Sequence, residues 1–358
     1  MAPALLTGCS SSATPADTPT ATTVPEAKSV AVAFLDRYVD SDGRVVRIDQ
    51  GGDTASEGQA YALLLAVATH DASRFGAVWT WEKDNLQLPD GLFAYLWSDG
   101  AVVGSGAATD ADLDTAWALV LAATSFHQPE YLKEGRAVAA AILANETVVS
   151  GGRLQLVAGP WARSAPYAVD PSYFSPEAMT ALAKATDDPL WTELAVDSQQ
   201  LVSDLQGSGA TRSLPPDWAA LSQTGEIAAA PSPSGGAPPS YGLDAQRLPV
   251  WYAADCAAQG RSLSADSWPI IAGLAASGSY LAYTLTGGVQ QPYSNDLGLV
   301  AAAASAMAAG QVTQGRALLA QAQRGTYGKT YYGDAWVALG TVLLTTDWLS
   351  PCPPAPAT

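Results

Sequence analysis

From Ser56 the chain reads Ser-Glu-Gly-Gln-Ala-Tyr-Ala-Leu-Leu-Leu-Ala-Val-Ala-Thr69, and from Tyr61 to Ala68 nearly every side chain is apolar. A helix that is apolar all round must be buried on every side, not only along one stripe. Ser56 is placed to cap it, with Glu57-Gly58-Gln59 as its first residues. A carboxylate leading a buried helix is costly to keep unless something uses it. The positive end of the helix dipole would also accept it there.

The rest of the chain repeats the theme. Helical segments are expected at 26–39, 57–70, 73–85, 109–126, 128–145, 175–185, 188–205, 241–258, 264–277, 294–309, 312–323 and 332–346. Pro176 and Pro189 sit where first-turn prolines belong. Strand-like alternation is scarce; 43–48 and 152–157 read as short hairpin pieces. Twelve helices, many rich in Ala and Gly, do not suit a simple four-helix bundle. They predict an all-α fold, a closed (α/α)6 double ring of six inner and six outer helices. Loops at the inner-helix N-termini, Glu57 among them, would then gather on one face. The interior Pro/Ser/Gly stretch 231–240 reads as a loop beside a cleft, so 26–350 is expected to be one domain.

The formal net charge of −17 repels phosphate backbones, which argues against a nucleic-acid partner and against acidic polysaccharides. Only two histidines occur, His70 and His127, each at an expected helix end. Histidine-based metal sites and Ser-His-Asp chemistry have little to work with, so carboxylates must carry any acid–base role. No ligand spacing indicates a metal, and no glycine loop indicates a nucleotide cofactor.

Leu6-Thr7-Gly8-Cys9 reads as a lipoprotein processing site with Cys9 as the lipidated residue, and residues 10–25 as a Ser/Thr/Ala/Pro tether. The expectation is an exported monomer, at the cell surface or extracellular, touching membrane only through that lipid. In an oxidising compartment Cys256 and Cys352 could pair and pin the Pro-rich tail 351–358, or Cys256 could be a buried free thiol.

Two further stretches carry candidate chemistry. Ala108-Thr-Asp-Ala-Asp-Leu-Asp114 places three carboxylates at a helix start, with Thr109 able to cap. Asp110 and Asp112 are expected to face a cleft while Asp114 lies on another face. Ser240-Tyr-Gly-Leu-Asp-Ala-Gln-Arg-Leu-Pro249 opens another helix, with Asp244 and Arg247 on one of its faces.

In order, Ser56-Glu-Gly-Gln-Ala-Tyr61, Ala108-Thr-Asp-Ala-Asp112 and Asp244-Ala-Gln-Arg247 resemble the motifs of glycoside hydrolase family 8. Shorter likenesses lie at Asp170-Pro-Ser-Tyr-Phe174, Pro216-Asp-Trp218 and Tyr331-Tyr-Gly-Asp334. Leu243 stands where an aromatic residue commonly precedes the base, and Thr115 replaces an aliphatic one.

The resemblance implies an (α/α)6 barrel and an inverting hydrolase cutting internal β-1,4 bonds of a polysaccharide, most simply a glucan. Glu57 would be the acid and Asp244 the base. Asp110 and Asp112 would hold the sugar and tune Glu57, and Arg247 would keep Asp244 ionised. Tyr95, Trp97, Tyr173 and Tyr331 are expected as platforms for sugar faces, and Trp117 and Trp336 as core. The alternatives are xylan or chitosan as substrate, or a lipid-anchored glycan-binding protein without catalysis.

Overall fold

The computed structural model describes residues 24–235 and 238–352; Cys9 lies outside the described residues, as do most of the tether and the end of the tail. The helices are α1 Val24–Tyr38, α2 Ser56–Ala68, α3 Ala72–Leu86, α4 Thr109–Ser125, α5 Pro129–Asn145 and α6 Pro176–Thr186. They continue as α7 Leu190–Gln206, α8 Leu248–Ala253, α9 Ala258–Ser277, α10 Leu297–Ala308, α11 Val312–Gln323 and α12 Tyr331–Thr345.

Burial separates two sets. The helices α2, α4, α8, α10 and α12 are buried along most of their length, as their unbroken apolar runs require. Together with α6 they touch in sequence, α2 to α4 to α6 to α8 to α10 to α12 and back to α2, which closes an inner ring. The odd-numbered helices pack around it, each against inner neighbours. Small residues allow the close approach: a Cβ on Gly340 of α12 would stand 2.2 Å from Val300 Cγ1 of α10. One apolar core cluster runs through both rings, with Trp117 and Trp336 inside it.

Strands decorate the loops. β1 Thr54–Ala55, β2 Ala94–Ser98 and β3 Ala101–Ala107 form an antiparallel sheet, and β4 Thr147–Ser150 pairs with β5 Arg153–Leu156. The third sheet is β6 Tyr167–Val169, β7 Ala219–Leu221 and β8 Ile227–Ala229; β9 Tyr280–Tyr283 and β10 Val289–Ser294 make the fourth. The piece expected at 152–157 is the second arm of the β4–β5 hairpin. Residues 43–48 form only single bridges, Val39 with Val45 and Arg47 with Asp53.

The helix expected over 241–258 is much shorter. Asp217 accepts hydrogen bonds from Gly242 N and Ala245 N, each 2.9 Å, and from Ser240 Oγ at 2.8 Å. Tyr241 bridges Tyr283, so residues 240–244 are held out of helix. One 3-10 turn, Ala245–Arg247, then leads into α8.

Cys256 and Cys352 are bonded across a sequence separation of 96. Beside them Ser350 Oγ donates to Ala254 O at 2.8 Å, fastening the end of the chain to the loop after α8. Chain entropy gives closure of a loop of this size about 4–5 kcal/mol. Thermal unfolding with and without reductant should show a lower midpoint when the bond is reduced, and Cys352→Ala should be indifferent to reductant. An unchanged wild-type midpoint would mean that the bond contributes nothing.

Candidate active site

The N-terminal ends of α2, α4 and α8 converge on one buried cation, Arg247, which is 1% exposed. Its Nη1 donates to Asp110 Oδ2 at 2.7 Å and to Tyr61 OH at 3.2 Å. Its Nε and Nη2 donate to Ser172 Oγ at 3.1 and 2.6 Å, and Ser172 Oγ donates in turn to Asp170 Oδ1 at 2.6 Å. Nη2 also lies 3.8 Å from Asp170 Oδ2 and 3.6 Å from Asp244 Oδ1. The guanidinium carbon sits 5.2 Å from the ring centre of Tyr173. A buried arginine is stable only with its donors satisfied and its charge paired, and here three carboxylates share it.

Glu57 is the one residue of α2 that is only half-buried. Its carboxyl is pushed up to about 7, first by burial and then by the charge of Asp110, against the opposing pull of Arg247 and Arg47. Desolvation and a like charge therefore outweigh the two arginines, the condition a general acid needs. Asp244 is raised to about 6: burial lifts it, Arg247 holds it down, and Asp217 and Asp110 push it up again.

Neither helix uses the expected side-chain cap. Helix α2 begins at Ser56 itself after the extended Ala55, and α4 begins at Thr109, whose hydroxyl donates instead to Val157 O at 2.7 Å. The residues before α2 are strand β1, and α2 starts one residue before the expected 57, whereas α4 starts at the expected Thr109.

Asp112 does not join the cleft. It is fully buried, and its Oδ1 accepts from Phe93 N at 2.8 Å. Burial and the nearby Glu146 hold its carboxyl well above the usual range. Its Oδ2 and both carboxyl oxygens of Glu146 lack a donor, which is relieved if the two acids share a proton. The physical reason is helical geometry: residues two apart lie on opposite faces, whereas residues four apart share one. It is Asp114, not Asp112, that lies near Asp110 and Arg247, and their charges act on its carboxyl.

A pocket of about 180 Å³ is lined by Arg47, Glu57, Tyr95, Asp110 and Tyr173 among others. Tyr95, 47% exposed, and Tyr173 both line it. Trp97 instead packs edge-on against Trp81, with Arg44 over its ring, outside the pocket wall. Tyr331 is completely buried among Phe34 and Tyr38 and presses on Gly58, so it offers no face to a sugar.

Sequence reasoning missed Trp161, which is half exposed, and Trp218. They form an aromatic chain, Trp161 to Trp218 and Trp218 to Tyr173, each step 6.3 Å between ring centres. Trp218 sits in a motif already quoted; Trp161 had no signal beyond its residue type. A larger cavity of about 400 Å³ lies elsewhere, lined by Trp117, Val120, Glu177, Leu349 and Pro351 among others. None of the carboxylates around Arg247 reaches it. Among the described residues no group of His, Cys, Asp and Glu is arranged to hold a metal ion.

A double ring of helices with paired carboxylates at the inner N-termini defines a candidate glycan-cleaving barrel. Residues 22–346 match the family model of glycosyl hydrolases family 8, and the chain belongs to that family. A probable endoglucanase of Novacetimonas hansenii is 32% identical over 226 residues, covering 61% of this chain and 64% of that protein. The chain thus spans under two thirds of that relative's length. The solved endo-β-1,4-glucanase of Acetobacter xylinum superposes with a TM-score of 0.73 at 25% identity, covering 88% of this chain and 97% of the other. A β-1,3-1,4-glucanase of Paenibacillus superposes at 0.80 with 20% identity, over 90% and 93% of the two chains, a likeness of fold. The fold is the (α/α)6 barrel expected from the helix pattern.

Proposed function

We propose that this protein hydrolyses internal β-1,4 bonds of a glucan with inversion at the anomeric carbon. The observation that carries the reading is Glu57: the one half-buried residue of an otherwise buried helix, with a carboxyl that keeps its proton near neutrality, within the field of Asp244. In this scheme Glu57 donates to the leaving oxygen and Asp244 draws a proton from the attacking water. Asp110, fixed by Arg247, lies in the same pocket, placed to accept from a sugar hydroxyl there. Tyr95, Tyr173, Trp218 and Trp161 offer rings to successive sugars. The endoglucanase names of the relatives support glucan as the substrate. The Cys256–Cys352 bond supports an exported protein, and the Leu6-Thr7-Gly8-Cys9 stretch supports Cys9 as its lipid anchor.

Product release from carboxymethyl-cellulose, mixed-linkage glucan, xylan and chitosan tests the reading. A glucan is expected to be cut. Release from xylan or chitosan alone would overturn the substrate, and retention on a glycan column without any release would leave only binding.

The pH dependence follows from the two carboxyls, which titrate as an interacting pair. Below about 6 Asp244 takes up a proton and cannot act as base; above about 7 Glu57 loses its proton and cannot act as acid. The profile of kcat/KM should be a narrow bell centred between those values. A profile flat from acid to alkaline pH would contradict the assignment.

A further inference from the structure

Arg47 takes no part in the scheme above, yet it lines the same pocket as Glu57 and Asp110. It stands on the loop between α1 and α2, and that loop is fastened by the helix that carries the acid. Gln59, fully buried two residues after Glu57, accepts from Val45 N at 2.6 Å. It also donates to Gly43 O and Val78 O, each at 3.2 Å. Thr54 Oγ1 donates to Val45 O at 2.7 Å. Gly43, at φ +97°, lies so close to α3 that a Cβ would stand 2.2 Å from Ala77 O.

Arg47 itself is clamped. Its amide donates to Asp53 O at 2.9 Å, and its Nε and Nη2 donate to the two carboxyl oxygens of Asp53, both at 2.7 Å. Such a two-pronged fork fixes orientation as well as charge.

Glu57 is faced by Asp110 on α4, by Asp244 and Arg247 at the start of α8, and by the phenols of Tyr61, Tyr331 and Tyr332. Arg247 is divided among Asp110, Asp170 and Asp244, whereas Arg47 answers to Asp53 alone among the described ion pairs. We infer that Arg47, held by Asp53, is a positioning residue acting on Glu57: its fixed positive charge joins that of Arg247 in opposing Asp110 and lowers the highest pH at which the acid still carries its proton. The inference rests on Glu57 being the acid. An adjacent cation favours the carboxylate form, and removing Arg47 would also leave Asp53 unbalanced, so both changes favour the protonated acid.

The test compares wild type, Arg47→Gln, Arg47→Lys and Asp53→Asn in the pH dependence of kcat/KM on a soluble glucan. In Arg47→Gln the alkaline limb should move to higher pH. One unit above the wild-type limb, this variant should keep roughly twofold or more of its own maximum relative to wild type. Arg47→Lys, which keeps the charge but not the fork, should lie between wild type and Arg47→Gln, and Asp53→Asn should move the limb to lower pH. A merely structural role would lower activity at every pH without moving the limb, and that result, or an acid shift in Arg47→Gln, would overturn the inference. The Glu57 carboxyl stretch, isolated by infrared difference against Glu57→Gln and titrated in each background, reads the same effect without turnover. If wild type cuts no glucan the hydrolase reading fails by itself, while an infrared titration indifferent to Arg47 sinks this inference alone. Should Arg47→Gln not fold, an unmoved limb in Asp53→Asn overturns it.

Discussion

Glu57→Gln should lower kcat/KM on a β-1,4-glucan by about 10²- to 10⁴-fold, the contribution typical of a positioned general acid. Gln has the same shape and no proton to give. The change also removes a carboxyl that burial and Asp110 already disfavour in its charged form, so the fold should be as stable as before or slightly more. Substrates with an acidic leaving group need little protonation, and on them the loss should be much smaller. Steady-state kinetics on a glucan and on an aryl glycoside, with thermal unfolding of both proteins, check the pattern. Equal losses on both substrates would move Glu57 out of the acid role, and full activity would remove it from the chemistry.

Arg247→Met should be the most damaging single change to stability, costing about 3–5 kcal/mol. The guanidinium is the shared counter-charge of Asp110, Asp170 and Asp244, and it satisfies Ser172 and Tyr61 as well. Its loss leaves Asp110, Asp170 and Asp244 crowded together with no cation between them. Because the penalty falls on the charged forms, the stability deficit against wild type should shrink as pH falls and the carboxyls protonate. Activity should vanish with it, since Arg247 is what holds Asp244 toward the ionised form. Urea unfolding across pH reads both effects; a deficit independent of pH, or none, would deny the cluster its electrostatic role.

The barrel was legible because burial writes itself into composition: α2, α10 and α12 are apolar all round, and only a second layer can cover such helices. Helix ends were legible too, with His70 and His127 each in the left-handed conformation just beyond α2 and α4. Of the small sheets, only the β5 arm at 153–156 was. Ala94–Ser98 and Ala101–Ala107 pair with irregular register and carry no clean alternation. The short α8 escaped because what shortens it, Asp217, is remote in sequence.

At the site, Glu57, Asp244, Arg247 and Asp110 came from motifs, and the structure brings them together. Asp112 failed on helical geometry that the sequence already contained. Tyr331 failed because an aromatic residue at a helix start reads the same whether it faces a cleft or, as here, Phe34 and Tyr38. Arg47 and Asp53 were invisible because their pairing depends on a loop closed by Gln59 and Thr54.

Inversion demands an acid and a base about 6.5–9.5 Å apart, with water between, whereas retention demands a nucleophile about 5–5.5 Å from the acid. The most direct measurement is therefore the anomeric form of the first product released from a β-1,4-glucan, followed by proton NMR before mutarotation. The α-anomer appearing first is the predicted result. The β-anomer appearing first would contradict Asp244 as the base that activates water, and with it the mechanism proposed for this site.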